Sequence, residues 1–174
     1  MVKTGQTHNM ILHDFLTRGF TYTFDHELVK HILAKDLHDP DSWIETDDGI
    51  AVPPEYDLTD SMLYIKNKYV SPIFGESKNG YNSIWNKNES TVQVWHNDLR
   101  EGPNLFFLYY MTNVYKGGEI RFRVNGIETG CVQPRVGLLV MGSQESHIEH
   151  KAEPTNEARV LSNYGFYVNI PRAV

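Results

Sequence analysis

Apolar and polar residues alternate along the second half of the chain with the two-residue period of β-strands. In residues 119–124, Ile120, Phe122 and Val124 alternate with charged residues. Residues 105–112 are almost all apolar or aromatic, which is typical of a strand covered on both faces. Similar patterns predict further strands at residues 91–96, 130–132, 136–141, 147–152 and 159–168.

Short turn sequences separate these segments. Gly117-Gly118 predicts a turn before the alternating strand, and Asn125-Gly126 after it is a strong hairpin signal. About seven or eight short strands that follow a helical lead-in are typical of a double-sheet jelly roll. The sequence therefore predicts a mainly β fold with N-terminal helices and a double-stranded β-helix, or jelly-roll, core.

The first half of the chain has patterns that favour helices. Asp25 is a predicted cap for a helix through about residue 35, because several apolar residues then share one face. A second helix is predicted over residues 59–70, and Ser71-Pro72 is expected to end it.

Two stretches of the first half read as loops. Residues 36–55 are acidic and contain prolines, and residues 75–90 are rich in Gly, Asn, Ser and Lys around Tyr81 and Trp85. We interpret 75–90 as a long loop or a loose strand pair, and loops of this size are often functional. The absence of repeats and boundaries predicts one domain over residues 1–174, with 1–74 as a mainly helical support and 91–168 as the jelly-roll core.

Composition and charge narrow the function classes. The 174 residues are 40% hydrophobic, 12% aromatic and 22% charged, which excludes a disordered chain and a coiled coil. A net charge of −6 and a pI of about 5.7 argue against nucleic-acid binding, which needs a basic surface. Cys131 is the one cysteine, so an internal disulfide and a cysteine zinc cluster are excluded.

Targeting signals are not evident in the sequence. The first ten residues lack the apolar core of a signal peptide, and no apolar run approaches the roughly 20 residues of a membrane span. We therefore expect a cytoplasmic protein with no membrane partner. Its oligomeric state is left open.

His96-Asn97-Asp98 is the candidate for metal chemistry. On a strand, side chains at positions i and i+2 leave the same face, so His96 and Asp98 can hold one metal together. A second His from another strand would complete a triad of two His and one carboxylate, which leaves coordination positions open for a co-substrate and oxygen. An arginine such as Arg159 would bind a carboxylate of that co-substrate.

Spacing alone does not establish this site. With 8 His and 22 acidic residues, pairs of the form His-x-acid are expected by chance, and a second one occurs at His147-Ile148-Glu149. On spacing alone, a surface pair or a hydrogen-bonded pair without metal is the favoured interpretation of both. The distal His also has two candidates, His147 and His150, which face opposite ways if both lie on one strand.

The order of several elements is more specific than any one of them. A His-x-Asp is followed by an apolar strand with tyrosines, a Gly-Gly turn before an alternating strand, Pro-x-x-Gly before an apolar strand, and a His with Pro four and Arg nine residues later. In this chain the elements are His96-Asn97-Asp98, Leu108-Tyr109-Tyr110-Met111, Gly117-Gly118-Glu119-Ile120-Arg121-Phe122, Pro134-Arg135-Val136-Gly137-Leu138-Leu139-Val140, His150, Pro154 and Arg159. This pattern resembles the Fe(II)/2-oxoglutarate-dependent oxygenases, especially their prolyl-4-hydroxylase-like branch, over about residues 91–168.

The resemblance implies a complete active site. His96, Asp98 and His150 would bind Fe(II) as the catalytic centre, and His150 is preferred to His147 because only His150 has Pro and Arg at the family's offsets. Arg159 would bind the distal carboxylate of 2-oxoglutarate. Tyr110 occupies the position of a phenol that reaches the same carboxylate in related hydroxylases, although a role as a core aromatic is equally compatible.

One position departs from the pattern. Some families of this class have Ser two residues after the Arg, and this chain has Leu161. The set of co-substrate contacts is therefore incomplete by that standard, and another oxo acid stays open as co-substrate.

The implied activity is hydroxylation of a C–H bond with O2 and 2-oxoglutarate, which releases succinate and CO2. Peptidyl proline is the first expectation for the substrate, and a free amino acid or other small molecule is the alternative. Two hypotheses without turnover also stay open. One is a jelly-roll binding module for sugar or peptide, whose His and Asp are incidental, and the other is an oxygenase-derived protein that binds metal only.

Overall fold

Antiparallel strands form most of the fold in the computed structural model, which describes residues 4–46, 50–86, 94–98 and 102–170. The strands are β1 (Phe20–Phe24), β2 (Leu33–Ala34), β3 (Ile44–Glu45), β4 (Ala51–Val52), β5 (Tyr56–Asp57), β6 (Ser77–Asn86), β7 (Leu105–Tyr110), β8 (Ile120–Val124), β9 (Ile127–Val132), β10 (Leu138–Ser143), β11 (Ile148–Ala152) and β12 (Val160–Val168).

Helices lie in the first half. They are α1 (Thr4–Arg18), α2 (Thr59–Ile65), a π-helical turn (Lys66–Val70) and α3 (Ser71–Phe74), with 3-10 turns at Leu28–His31 and Pro40–Ser42. None of the helices in these described stretches is long and apolar enough to cross a membrane.

Two sheets make up the jelly roll. The major sheet has seven strands in the order β1-β10-β7-β12-β6-β4-β3, and the minor sheet has the order β11-β8-β9. Neighbouring strands are antiparallel in both. The mainly β fold with N-terminal helices and a jelly-roll core is thus confirmed.

Strand β7 separates two hydrophobic layers. Its odd-numbered residues pack with the helices on the outer face of the major sheet, and its even-numbered residues, Phe106, Leu108 and Tyr110, face the minor sheet. All six residues of β7 are buried, which confirms that the strand is covered on both faces. The helical layer therefore supports one face of the major sheet, and the other face is left for the interior of the jelly roll.

The hairpin between β8 and β9 forms where it was predicted. Asn125 and Gly126 have φ values of 50° and 78°, as a two-residue turn with both central residues in the left-handed region requires. Ile120 and Phe122 are buried and alternate with partly exposed arginines, so the predicted alternation is also confirmed.

The predicted helix over residues 25–35 is wrong. Only the 3-10 turn Leu28–His31 forms there, and residues 20–24 before it are strand β1, paired with β10. Asp25 is buried and accepts a hydrogen bond from the Glu27 amide 3.0 Å away, which closes a local turn instead of capping a regular helix. Helix α1, which precedes this segment, was not predicted.

The helix predicted over residues 59–70 is present but does not end at Ser71-Pro72. Helix α2 continues through the π-helical turn into α3, which has Pro72 in its first turn, where a missing amide hydrogen is tolerated. Gly75, with a φ of 74°, ends the helical stretch.

For residues 75–90 the loop prediction is wrong, and the alternative of a loose strand pair is corrected to one long strand. Residues 77–86 form the ten-residue strand β6, which pairs with β12. Residues 87–90 of that loop, and residues 91–93 of the strand predicted at 91–96, lie outside the described residues. Within the remainder of that predicted strand, His96 forms an isolated antiparallel bridge.

A buried carboxylate joins the helical layer to β1. Asp25 accepts hydrogen bonds from Tyr69 Oη at 2.7 Å, Lys68 Nζ at 2.9 Å and Tyr64 Oη at 3.2 Å. Burial alone would raise the pKa of Asp25, but the hydrogen bonds from Tyr69 and Lys68 outweigh it and hold the pKa below its usual value. The ionised carboxylate therefore stabilises the packing of the helices on the sheet.

We expect Asp25→Asn to lower the free energy of unfolding by about 2 kcal/mol at neutral pH, because the charge-assisted hydrogen bonds are lost. The folded pKa lies below the unfolded value of about 3.9, so the contribution is present above that pH and disappears as the pH falls through the folded pKa. Urea unfolding at pH 7 and near pH 3 measures both effects. Asp41→Asn, at an exposed position, is the control, and an equal loss at both pH values would contradict the assignment of the charge.

Candidate active site

A backbone bridge places the two histidines side by side. His96 N donates to His150 O at 3.1 Å, and His150 N donates to His96 O at 3.0 Å. Residues that exchange both hydrogen bonds in an antiparallel pair project their side chains from the same face. The imidazole centroids are consequently 4.5 Å apart.

Asp98 closes the triangle. Because it lies two residues after His96, its carboxylate returns to the same side, with Oδ1 3.8 Å from His96 Nε2 and Oδ2 3.7 Å from His150 Nε2. One ligand atom from each of the three residues lies within 4.8 Å of the other two. The structure thus brings together the three residues that the sequence singled out.

This donor set fits a divalent transition metal. Two imidazole nitrogens and one carboxylate bind Fe(II) on one face and leave the opposite positions open. His96 Nδ1 lies 2.9 Å from Val94 O, which can only accept a hydrogen bond, so Nδ1 carries the hydrogen and the Nε2 lone pair faces the other ligands.

The short segment that carries His96 is anchored from both sides. Trp95 leaves the opposite face, and the Arg123 guanidinium and the Lys151 ammonium lie 4.7 and 5.2 Å from its ring centroid. Asn97 Nδ2 donates to the carbonyl oxygens of Glu145 and Ile148, each at 2.8 Å. These contacts fix residues 95–97 against the connection that leads into β11, and hence against His150.

His150 lies in an aromatic environment. Its ring centroid is 5.0 Å from that of Phe106, and its side chain is only 12% exposed. Burial, reinforced by His96, lowers the pKa of His150 to about 4. The imidazole is therefore neutral near pH 7, which is the form that binds a metal.

The competing residues lie elsewhere. His147 is exposed and lines a different cavity, with Phe15 and Asn104. Glu149 forms a two-pronged salt bridge with Arg123, at 2.7 and 2.8 Å, on the outer face of the minor sheet. Of the described acidic and histidine residues, only the triad forms a cluster suited to a metal ion.

Arg159 is a buried cation in the same cavity as the triad. It immediately precedes β12 and is 3% exposed. Its Nη1 makes long hydrogen bonds to Gly118 O, 3.4 Å, and Glu153 O, 3.3 Å, while Nε has no partner among the described residues. Within that part of the chain no carboxylate lies within ion-pair distance of the guanidinium, so its charge is available to an anionic ligand.

Tyr110 and Leu161 flank Arg159 in the cavity. They are opposite each other on β7 and β12, and both are buried. Burial raises the pKa of Tyr110 to about 12, with Arg159 acting in the opposite direction, so the phenol keeps its proton and can donate it in a hydrogen bond. Leu161, where some families have Ser, contributes an apolar wall.

Two distant elements of the sequence pattern meet beside Arg159. Gly118 N donates to Pro154 O at 3.1 Å, and a Cβ on Gly117 would collide with the same carbonyl oxygen. Both glycines have a positive φ, 67° and 70°. The Gly-Gly turn is therefore needed for close packing against Pro154, and it presents Gly118 O to Arg159.

Three further polar residues line the cavity; the sequence singled out Tyr81 only as part of a loop over an extended peptide, and it assigned no role to Asn163 or Gln144. Tyr81 on β6, Asn163 on β12 and Gln144 just after β10 line it together with the triad, Tyr110 and Arg159. Asn163 follows Arg159 by four residues, and the alternation of β12 places both on the interior face. No local signal marks Gln144, which lies 46 residues from Asp98 along the chain.

The cavity runs from a buried end to an open end. Arg159 forms the buried end, and the side chains of His96 and Asp98, 36% and 52% exposed, lie at the open end. Its volume within the described residues is about 140 Å³. A metal held by the triad would therefore face solvent, and a ligand reaching inward from it would meet a cation.

Comparison with known proteins supports the fold. No protein-family model and no curated protein matches the chain. Among solved structures, a Pseudomonas putida prolyl-4-hydroxylase aligns with a TM-score of 0.67 at 15% identity, over 93% of this chain and 99% of that one. A prolyl hydroxylase from Trichoplax adhaerens, in complex with a peptide fragment of hypoxia inducible factor, aligns with a TM-score of 0.63 at 14% identity, over 94% and 90% of the two chains.

HygX from Streptomyces hygroscopicus, with nickel, 2-oxoglutarate and hygromycin B bound, aligns with a TM-score of 0.64 at 12% identity, over 92% of this chain and 87% of that one. At these identities the likeness concerns the fold. The chain has the double-stranded β-helix fold of the 2-oxoglutarate- and Fe(II)-dependent oxygenases, prolyl hydroxylases among them, and the resemblance inferred from its sequence is confirmed at that level.

Proposed function

We propose that the protein is an Fe(II)- and 2-oxoglutarate-dependent dioxygenase that hydroxylates a C–H bond. One oxygen atom of O2 enters the substrate as a hydroxyl group and the other enters succinate, while 2-oxoglutarate loses CO2. His96, Asp98 and His150 would hold Fe(II), which supplies the oxidation chemistry when it is bound.

The observation that carries this proposal is the buried Arg159, which has no carboxylate partner among the described residues and lies in the cavity that opens at the triad. A buried cation is costly unless an anion compensates it. 2-Oxoglutarate has an oxo acid group that chelates a metal and a second carboxylate at its far end. A molecule of this shape satisfies the open positions of the triad and the guanidinium at the same time.

The protein's own groups have distinct tasks in this scheme. Arg159 binds the distal carboxylate through its fork of N–H donors, and the protonated phenol of Tyr110 donates to the same group. Leu161 and the neighbouring apolar residues Leu108 and Ile120 exclude water from that end of the cavity. The neutral His150 is ready to bind metal without losing a proton.

Peptidyl proline is the substrate we propose. Ligand pockets for drug-sized molecules usually measure about 300–1,000 Å³, and this cavity, at about 140 Å³, has room for little beyond the co-substrate. A side chain presented at the exposed mouth by an extended peptide suits this shape better than an enclosed small molecule. The prolyl hydroxylases among the structural neighbours support the proposal, while the HygX complex with hygromycin B keeps a small molecule as the alternative.

The metal site makes the first prediction. We expect His150→Ala to reduce Mn²⁺ or Fe(II) binding at least about 100-fold, since only two of the three protein ligands, His96 and Asp98, remain. His147→Ala, an exposed histidine three residues away, should leave affinity unchanged. Anaerobic titration monitored by electron paramagnetic resonance of free Mn²⁺ measures both variants. Equal affinities in the two would mean that the distal ligand is misassigned.

Arg159 makes the second prediction. Arg159→Ala should weaken 2-oxoglutarate binding at least about tenfold, because hydrogen bonds to a charged group contribute about 1.5–3 kcal/mol. Metal affinity should change little, and Tyr110→Phe should weaken co-substrate binding less than Arg159→Ala. Isothermal titration of the Mn²⁺-loaded protein separates the two effects. A parallel loss of metal and 2-oxoglutarate binding would contradict the role given to Arg159.

The activity itself is tested in two steps. Anaerobic addition of 2-oxoglutarate to the Fe(II)-loaded protein should produce the weak visible metal-to-ligand charge-transfer band, which disappears in His150→Ala. Admission of O2 with proline-containing peptides should then yield succinate and a peptide that has gained one oxygen atom. A folded, metal-loaded protein without the band would favour the non-catalytic jelly-roll binding module instead.

A further inference from the structure

A chain of polar side chains leads from the wall of the cavity to Asp98. Gln144, the residue after β10, is 1% exposed, and its Nε2 makes a long hydrogen bond, 3.3 Å, to Asp98 Oδ2. Its backbone amide donates to Asn104 O at 3.0 Å, which fixes the main chain at this position. The buried side-chain amide therefore contacts the Asp98 carboxylate from a main chain that is held in place.

The orientation of this amide is dictated by Asp98. An ionised carboxylate only accepts hydrogen bonds, so the NH2 group of Gln144 must face it. The amide oxygen Oε1 is then left buried, with no partner among the described residues. A buried acceptor without a partner destabilises the fold, so the contact with Asp98 outweighs the best pairing of Gln144 itself.

Tyr81 lies beside Gln144 in the cavity. Burial raises the pKa of the Tyr81 phenol, and the side-chain amides of Asn163 and Gln144, as hydrogen-bond donors to its oxygen, act in the opposite direction. A primary amide has two N–H donors, which is enough to serve both Asp98 and the phenol oxygen. The three residues thus converge on the metal ligand that is the most exposed of the triad.

Gly165 on β12 leaves space for the Tyr81 ring. A Cβ at Gly165 would lie 2.8 Å from Tyr81 Cε1, and β12 has an irregular register at this residue. Because glycine has no side chain, the Tyr81 ring can lie over Gly165 and reach the cavity. The position of Tyr81 is therefore built into the pairing of β6 with β12.

We propose that Gln144 is a positioning residue for Asp98, supported in turn by Tyr81, so that the carboxylate already has its metal-binding orientation before the metal arrives. The inference rests on the proposed metal site at His96, Asp98 and His150. Asp98 needs such a support because its side chain is half exposed at the mouth of the cavity. Partners that orient a metal ligand typically change metal affinity by about 10–100-fold when they are removed.

The test is the Mn²⁺ affinity of the full chain. Gln144→Met keeps the length and burial of the side chain but removes both donors, and we expect it to weaken Mn²⁺ binding about tenfold or more. Tyr81→Phe removes only the hydroxyl and should weaken binding by a smaller factor. If Tyr81 acts through Gln144, Tyr81→Phe should have no further effect in the Gln144→Met background.

Two controls separate positioning from stability. Gln133→Met also removes an amide, one that donates to Val114 O and Gly117 O at 2.8 Å, and should lower thermal stability without changing Mn²⁺ affinity. Tyr22→Phe alters a phenol on the edge strand β1, outside the cavity, and should change neither.

The outcomes are distinct. If wild type binds Mn²⁺ and folded Gln144→Met binds it equally well, Gln144 does not position Asp98 and the inference is overturned. Additive effects of Tyr81→Phe and Gln144→Met would overturn the role of Tyr81 as a support that acts through Gln144. A wild-type protein that binds no Mn²⁺ would instead remove the metal site on which the proposed function and this inference both rest.

Discussion

The pair of backbone hydrogen bonds between His96 and His150 is the constraint on which the candidate site depends. It places the two imidazoles on one face, where their centroids lie 4.5 Å apart. Once this register is set, the two-residue period of an extended chain returns Asp98 to the same face. A shift of one residue in either segment would turn a ligand toward the opposite face, where Trp95 packs against Arg123 and Lys151. The hydrogen bonds of Asn97 with Glu145 and Ile148 therefore stabilise this register of the two segments.

The same period explains how one sheet serves two purposes. Strands β7 and β12 are buried on both faces, and each sends alternate side chains to the helical layer and to the interior of the jelly roll. On the interior face of β12, Leu161 and Asn163 continue the row that Arg159 begins, so one strand supplies a cation, an apolar wall and an amide to the same cavity. None of the described residues that line the cavity belongs to a helix, yet the helices stabilise the sheet that carries the site. The ionised Asp25, bonded to Tyr69 and Lys68, is one polar connection in that packing, and the hydrogen bond from Tyr164 Oη to Ser61 Oγ is another.

The sequence predicted the second half of the chain well because its signals are local. The alternation of apolar and charged residues predicted β8, the continuous apolar run predicted β7, and Asn125-Gly126 predicted the hairpin between β8 and β9. Strand β6 was missed because its polar, glycine-containing sequence resembles a loop; it is a strand because β12 provides its hydrogen-bonding partner. Helix α1 escaped detection for a related reason, since the polar sequence TGQTHN at its start shows no apolar stripe. The pairing of His96 with Asp98 was predictable, as β8 was, from the two-residue period of a strand. The choice of His150 over His147 needed the offsets to Pro154 and Arg159. Gln144 could not be predicted, because it reaches Asp98 through a tertiary contact that no local pattern encodes.

The burial of the Arg159 guanidinium destabilises the fold, and the same burial serves the proposed function. A guanidinium that is 3% exposed has given up most of its hydration, and its hydrogen bonds to Gly118 O and Glu153 O are too long to replace it. The apolar side chains around it lower the local dielectric, which makes an unpaired charge costly and strengthens its attraction for a carboxylate. Leu161 adds to this apolar environment. A serine at that position would instead provide a hydroxyl that shares the contact with the anion. In the proposed enzyme, recognition of the co-substrate would rest on Arg159 and Tyr110, and a carboxylate bound there would compensate the buried charge of the guanidinium.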